Sequence, residues 1–159
     1  MRASSSKGWR DMSSAILIGS DHAGFQLKEH VKAYLEQQGI NVLDVGAYSE
    51  QSCDYPLIAH ELCTRLLKGD AARGILICGT GLGMSMTANR HAGIRAALCT
   101  CEYHARMSRL HNDSNVLVFG GRVTASDLAI SILRVWLETR FEGGRHARRV
   151  EHIEKREYV

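Results

Sequence analysis

Three stretches of this chain are apolar at every position rather than at every second one: Ile16-Leu17-Ile18, Ile75-Leu76-Ile77 and Val116-Leu117-Val118-Phe119. A strand with one wet face alternates apolar and polar side chains, so unbroken runs belong in a sheet covered on both faces, the situation of parallel strands joined by helical crossovers. The segments between them agree. Phe25, Leu27, Val31, Tyr34 and Leu35 recur at roughly helical spacing before Gly39, and Leu57, Ile58, Leu62, Leu66 and Leu67 do so between Asp54, a candidate N-cap, and Gly69. Leu128, Ile132, Leu133, Val135 and Leu137 mark a long helix from about Ala125 to Arg140. Val42 to Val45 and Ile94 to Leu98 supply two further strands, and helices from about Leu82 to Arg90 and from Glu102 to Leu110 complete the alternation. Right-handed crossovers make this an α/β fold, a three-layer αβα sandwich around a five-stranded parallel Rossmann-like sheet.

With 159 residues, 45% of them hydrophobic, the chain has material for one core, so residues 15–159 read as a single domain. Residues 1–14, MRASSSKGWRDMSS, are polar, serine-rich and without period, and read as a disordered extension. A formal net charge of +3 is mild and 6% aromatic content is low for stacking on single-stranded bases, so nucleic acid is not expected as a partner. No apolar run approaches the ~20 residues of a membrane helix, and no membrane partner is expected. Cys53, Cys63, Cys78, Cys99 and Cys101 form an odd set without paired spacing, which fits a reducing, cytoplasmic setting. The tail, residues 142–159, opens on Gly143-Gly144 and then carries Arg145, His146, Arg148, Arg149 and His152, with Val150 and Ile153 three apart. That narrow stripe predicts a short helix that docks on something, a second subunit being one candidate.

Ligands of such sheets bind beyond the carboxyl ends of the strands. Asp21 and His22 follow the first strand, Cys78-Gly79-Thr80-Gly81-Leu82-Gly83 the third, and Arg122 the fifth. Cys78 stands where strand meets helix, at the positive end of a helix dipole, and glycines 79, 81 and 83 let backbone N–H groups turn toward an anion. The turn is not a dinucleotide fingerprint, since the third glycine comes one place early, and it has no lysine for a P-loop. Met84 stands where a cysteine phosphatase would want its arginine. On spacing alone, a reactive thiol and an inert buried cysteine both remain open. Asp21-His22 could hold a hydroxyl and a phosphate or merely cap a helix; His111-Asn112-Asp113 could donate a proton or merely end one. Arg122, Arg145 and Arg149 have the fork that matches phosphate oxygens, although basic residues on a terminal helix are more often a solvated face. Cys99, Cys101 and His104 lack a standard zinc spacing and a fourth ligand, so no metal is expected, nor any other cofactor.

Taken together, six segments in order resemble the type B ribose-5-phosphate isomerases, a group that also holds galactose-6-phosphate and allose-6-phosphate isomerases. They are Gly19 to Gly24, Asp54-Tyr55-Pro56, Ile77 to Gly83, Ser108 to Asp113, Phe119 to Val123 and Glu142 to His146. The resemblance spans nearly the whole chain after the extension and implies a homodimer with sites at the subunit interface, the tail docking there. It implies ribose 5-phosphate and ribulose 5-phosphate interconverted through a cis-enediolate, in the non-oxidative pentose phosphate pathway. It assigns Cys78 as the base between C1 and C2 and His111 as the acid of ring opening. Asp21 and Asn112 would hold sugar hydroxyls, Gly79, Thr80, Gly81, Leu82 and Gly83 the enediolate oxygens, and His22, Arg122, Arg145 and Arg149 the phosphate, some of them from the partner chain. Some members use a glutamate as base a few residues further on; Met84 to Met86 offer no carboxylate, so Cys78 keeps that role. A six-carbon substrate, or a non-catalytic module that binds sugar phosphates, are the alternatives.

Overall fold

The computed structural model describes residues 15–155, so the expected extension at residues 1–14 lies outside the described residues, as do residues 156–159. Five strands, β1 (Ala15–Ser20), β2 (Val42–Asp44), β3 (Ala71–Cys78), β4 (Ala96–Leu98) and β5 (Val116–Gly120), form one sheet in the order β2-β1-β3-β5-β4. Each neighbouring pair is parallel. Among the described residues the helices are α1 (Phe25–Gln37), α2 (Tyr55–Leu67), α3 (Leu82–Ala88), α4 (Glu102–Asn112), α5 (Ser126–Glu138) and α6 (Arg145–Glu154), with a 3-10 turn at His22–Gly24.

The unbroken apolar runs divide by their period of two into two cores. Ile16, Ile18, Ile75, Ile77, Leu117 and Phe119 pack with Leu35 of α1 and Trp136 of α5 on one face, while Leu17, Leu76, Cys78, Val116 and Val118 pack with Leu62 of α2 and Met84 of α3 on the other. These strand side chains are almost wholly removed from water, each large one worth roughly 1.5–3 kcal/mol of transfer free energy. The expected three-layer α/β sandwich is therefore the observed one.

Several boundaries differ from the expected ones. The fourth strand starts at Ala96 rather than Ile94, because Ile94 N–H turns back to the His91 carbonyl and Arg95 N–H donates to the Asn115 side chain at 2.8 Å. The second stops at Asp44, whose carboxylate accepts Lys28 Nζ at 2.8 Å. The Asp54 side chain makes no capping bond; Pro56 in the first turn opens α2. Leu57 and Leu67, expected on the core face, are 69% and 51% exposed. Helix α4 runs two residues past Leu110, so His111 and Asn112 are its last residues.

The tail forms the expected helix, α6, which packs against α4 of its own chain. Arg95 is the clamp. Its guanidinium reaches Glu154 Oε1 at 2.6 Å and the Asn112 and Asp113 carbonyls at 2.9 Å each, while Glu154 Oε2 accepts Gly93 N–H. Ile153 stays 56% exposed.

Candidate active site

At the carboxyl edge of the sheet, three backbone segments are drawn together by hydrogen bonds between strand ends. Asp21 N–H donates to the Ile77 carbonyl, Gly121 N–H to the Cys78 carbonyl at 2.7 Å, and Arg122 N–H to the Gly79 carbonyl at 3.0 Å. Only glycine permits the approach: a Cβ on Gly24 would lie 2.6 Å from the Ile77 carbonyl oxygen. Asp21, His22, Cys78 to Gly83 and Arg122 therefore share one edge, as the sequence leads one to expect.

Cys78 ends β3 with 4% of its surface exposed, and Gly81 N–H donates to its sulfur at 3.1 Å. Gly81 adopts φ +81°, and it is this left-handed turn that aims its N–H back at the thiol. Leu82 N–H is likewise turned inward, onto Thr80 Oγ1 at 3.3 Å. Thus part of the expected anion cradle holds the sulfur and the turn itself. The helix behind it is short, seven residues, so the donors that count are local N–H groups more than a long macrodipole. Arg122 lies over this turn, its Nη1 3.3 Å from where a Gly79 Cβ would be. Asp21 is 5% exposed and does cap the following turn, Oδ1 accepting Gly24 N–H at 3.0 Å. His22 Nδ1 accepts Cys53 N–H at 3.3 Å, which leaves Nε2 as the ring's outward donor. Tyr55 covers the far side, its ring filling the space that a Cβ on Gly83 would need.

His111 and Asn112 are elsewhere. In a parallel sheet a crossover helix runs from the carboxyl ends of the strands back to their amino ends, so the last turn of α4 lies at the amino edge. The Asn112 carbonyl binds Arg95, the residue before β4, and Ser114 and Asn115 lead directly into β5. Along β5 the register from Val116, opposite Gly74, to Gly120, opposite Cys78, rises four residues, ~13 Å. Arg145 and Arg149 are on α6, the helix packed against α4, and belong to the same second cluster. Within one chain the sequence-predicted set is therefore two half-sites at opposite edges.

The second half-site is held by a network invisible as a motif. Trp136, fully buried, donates Nε1–H to Ser114 Oγ at 2.8 Å; Ser114 Oγ meets Ser108 Oγ at 2.9 Å; and Arg109 Nη1 reaches both Asp113 Oδ1 at 2.8 Å and the Ser114 carbonyl at 2.5 Å. Arg73 lies over the indole at 5.1 Å, its guanidinium pulled down to about 10 by burial and by the charge of Arg109. Asp113 closes α4 at φ +45°. His111 stacks on His146, centroids 4.1 Å apart and planes 12° off parallel. The sequence alone gives Glu142, His146 and these bonds no role, for their partners are far away along the chain.

His111, Glu142 and His146 each bring a ligand atom within 4.8 Å of the others. The lone pairs of near-parallel rings run side by side and do not meet at one cation, and Arg145 Nε donates to His146 Nε2 at 3.4 Å. The grouping is better suited to sharing a proton than to holding a metal. Cys99, by contrast, is sealed in the core, its thiol pushed up to about 11 by burial, which makes it a poor metal ligand. A shallow cavity of ≈ 330 Å³ between α1 and the start of α5, lined by Gln26, Leu27, His30, Gly121, Thr124 and Ser126, contains neither half-site. Among the described residues no helix is long and apolar enough to cross a membrane.

A parallel sheet with a thiol, a carboxylate and an arginine at its carboxyl edge defines the class, an α/β enzyme with a strand-end site. Comparison gives the family: the Ribose/Galactose Isomerase model matches residues 16–153, and the chain belongs to that family of isomerases. It is 48% identical over 138 residues to ribose-5-phosphate isomerase B of Escherichia coli, covering 87% of this chain and 93% of that one. The structure of a ribose 5-phosphate isomerase from Thermotoga maritima superposes with a TM-score of 0.88 at 51% identity, covering 90% of this chain and 99% of that one. A D-erythrulose-4-phosphate isomerase of Pectobacterium atrosepticum is 41% identical over 140 residues, 87% of this chain and 92% of the other.

Proposed function

We propose that this chain interconverts ribose 5-phosphate and ribulose 5-phosphate, with Cys78 as the base and His111 of a second copy as the acid of ring opening. The observation that carries the reading is the Cys78 thiol, almost buried and aimed by Gly81 N–H at a strand-end turn, with the Arg122 guanidinium beside Gly79 of the same turn. Abstraction of the C2 proton of the open aldose by the thiolate makes an enediolate with its charge on O1; the hydroxyl proton passes from O2 to O1, and the same sulfur delivers its proton to C1, which leaves the carbonyl at C2. A base on one side of the carbon pair and N–H donors on the other are what such a step requires. Thr80 and Gly83 belong to those donors, Asp21 and Asn112 hold hydroxyls, and His22, Arg122, Arg145 and Arg149 take the phosphate.

The opposite placement of the two half-sites supports a homodimer in which each site draws Cys78, Asp21, His22 and Arg122 from one protomer and His111, Asn112, Arg145 and Arg149 from its partner. A symmetric dimer then makes two equivalent sites. The names of the relatives support a phosphorylated aldose or ketose as substrate, and that of the Pectobacterium protein favours keeping a four-carbon sugar phosphate as a second reading. Galactose 6-phosphate and allose 6-phosphate extend the series, since one carbon more or less is a matter of pocket depth. A turnover assay across ribose 5-phosphate, erythrulose 4-phosphate, allose 6-phosphate and galactose 6-phosphate tests this. The highest kcat/KM is expected on ribose 5-phosphate; absence of turnover on it would overturn the proposal.

A further inference from the structure

The stacked pair of His111 and His146 has more in it than proximity. His146 is 3% exposed, whereas His111 is only half-buried. The Nε2 of His146 accepts from Arg145 Nε at 3.4 Å, so its single N–H belongs to Nδ1 and the ring is neutral in this arrangement. Two imidazolium rings 4.1 Å apart would repel, while one imidazolium over a neutral ring is attracted to its face. The charged groups facing the pair come from α6, Arg145 and Arg149, and from the segment before it, Glu142, whose Oε2 is 3.9 Å from His146 Nε2; Arg109 lies on α4 and Asp113 closes that helix, two residues from His111. Burial, with the nearness of His111, holds the His146 imidazole below its ordinary value, Arg145 and Arg149 act in the same direction, and Glu142 opposes them.

We propose that His146 is a positioning residue for His111, a buried neutral ring that stacks on it, fixes its plane and leaves the proton of the pair on His111. This rests on the reading of His111 as the acid of ring opening and adds to it the element that decides which ring is charged. His146 on this account touches no reacting atom. Its effect reaches the substrate through His111 alone.

The test uses the whole protein with ¹⁵N-labelled histidine, followed by long-range ¹H–¹⁵N spectra between pH 8 and pH 5, in the wild type and in His146→Ala and His146→Phe. His146 is expected to remain a neutral Nδ1–H tautomer through most of that range. In kinetics, His146→Ala should lower kcat by about tenfold with KM little changed and should displace the acid limb of the pH profile. His146→Phe, which keeps a flat uncharged ring, should recover most of that loss. Protonation of His146 ahead of His111, or a loss confined to KM, would overturn the proposal. His111→Asn separates the two readings. Wild-type turnover in that variant would remove the ring-opening role itself, whereas an inverted order of protonation overturns the pairing even where His111→Asn is inactive.

Discussion

Cys78 closes β3 at the carboxyl edge of the sheet and His111 lies in the last turn of α4 at the amino edge, with the length of β5, ~13 Å, between the two edges. Neither side-chain rotation nor loop movement spans that gap through a packed sheet. The proposed reaction, which uses both, draws them from two chains.

Removal of the proposed base should separate catalysis from binding. Cys78→Ala deletes the sulfur and leaves Arg122, His22 and the turn in place, so turnover should fall at least ~10²-fold. Binding should survive: ribose 5-phosphate at ~100 times its Kd should still add ~2.7 kcal/mol of stability in a thermal-shift measurement. Near-wild-type turnover in the variant would remove Cys78 from the base role.

The turn that aims the sulfur depends on one backbone conformation. Gly81→Ala would place a Cβ 2.5 Å from Leu98 Cδ1 and 3.0 Å from the Phe119 carbonyl, at φ +81°. The strain should cost ~1–3 kcal/mol, which a calorimetric Tm lower by several degrees would register. Turnover should drop by more than stability does, since the N–H that holds Cys78 moves with the turn.

A partly buried ion pair contributes to the acid dependence of stability. Lys28 is wholly buried and reaches Asp44 at 2.8 and 2.9 Å, with Gly46 N–H and Lys32 on the same carboxylate. Burial alone would raise the Asp44 carboxyl, but the bond from Lys28, the Gly46 N–H, the charge of Lys28 and the bond from Lys32 outweigh it and hold it below the usual 3.8. A carboxyl lowered on folding adds stability that is complete above the unfolded value and is lost as pH falls through the folded one. The difference in stability between wild type and Asp44→Asn should therefore be constant from pH 7 to pH 5 and shrink below pH 4. Lys28→Met, which leaves the carboxylate buried with less compensation, should cost ~3–5 kcal/mol in urea unfolding, and the double variant less than the sum.

The sheet was legible because its central strands are apolar at every residue, a pattern that suits a sheet covered on both faces and little else of that length. The edge strands were less so. Ile94 is as apolar and buried as any strand residue, yet it belongs to a turn, since the Asn115 amide takes over the Arg95 N–H that a ladder would have used. Side-chain substitution for a backbone partner leaves no trace in hydropathy. Cys78, its glycines and Arg122 could be grouped from the rule that strand ends carry the site. His111 could not be placed, because that depended on α4 continuing to Asn112 and on Asp113 accepting a left-handed conformation. Leu110 was the last apolar residue of the pattern, and the helical signal stopped there. His146 escaped assignment altogether. It meets His111 across 35 positions of sequence, and only the docking of α6 on α4 brings the rings together.

Assembly of each site from two protomers has a signature in subunit mixing. Cys78→Ala and His111→Asn are prepared separately, dissociated in mild denaturant, mixed in equal amounts and allowed to reassociate. A mixed dimer carries one site with both defects and one with neither, so a statistical mixture should recover about a quarter of wild-type turnover from two nearly inactive proteins. Recovery to that level is the predicted result. Mixed dimers that form, as shown by tagged subunits, yet remain as inactive as their parents would contradict the account, since they would put Cys78 and His111 of one chain in one site.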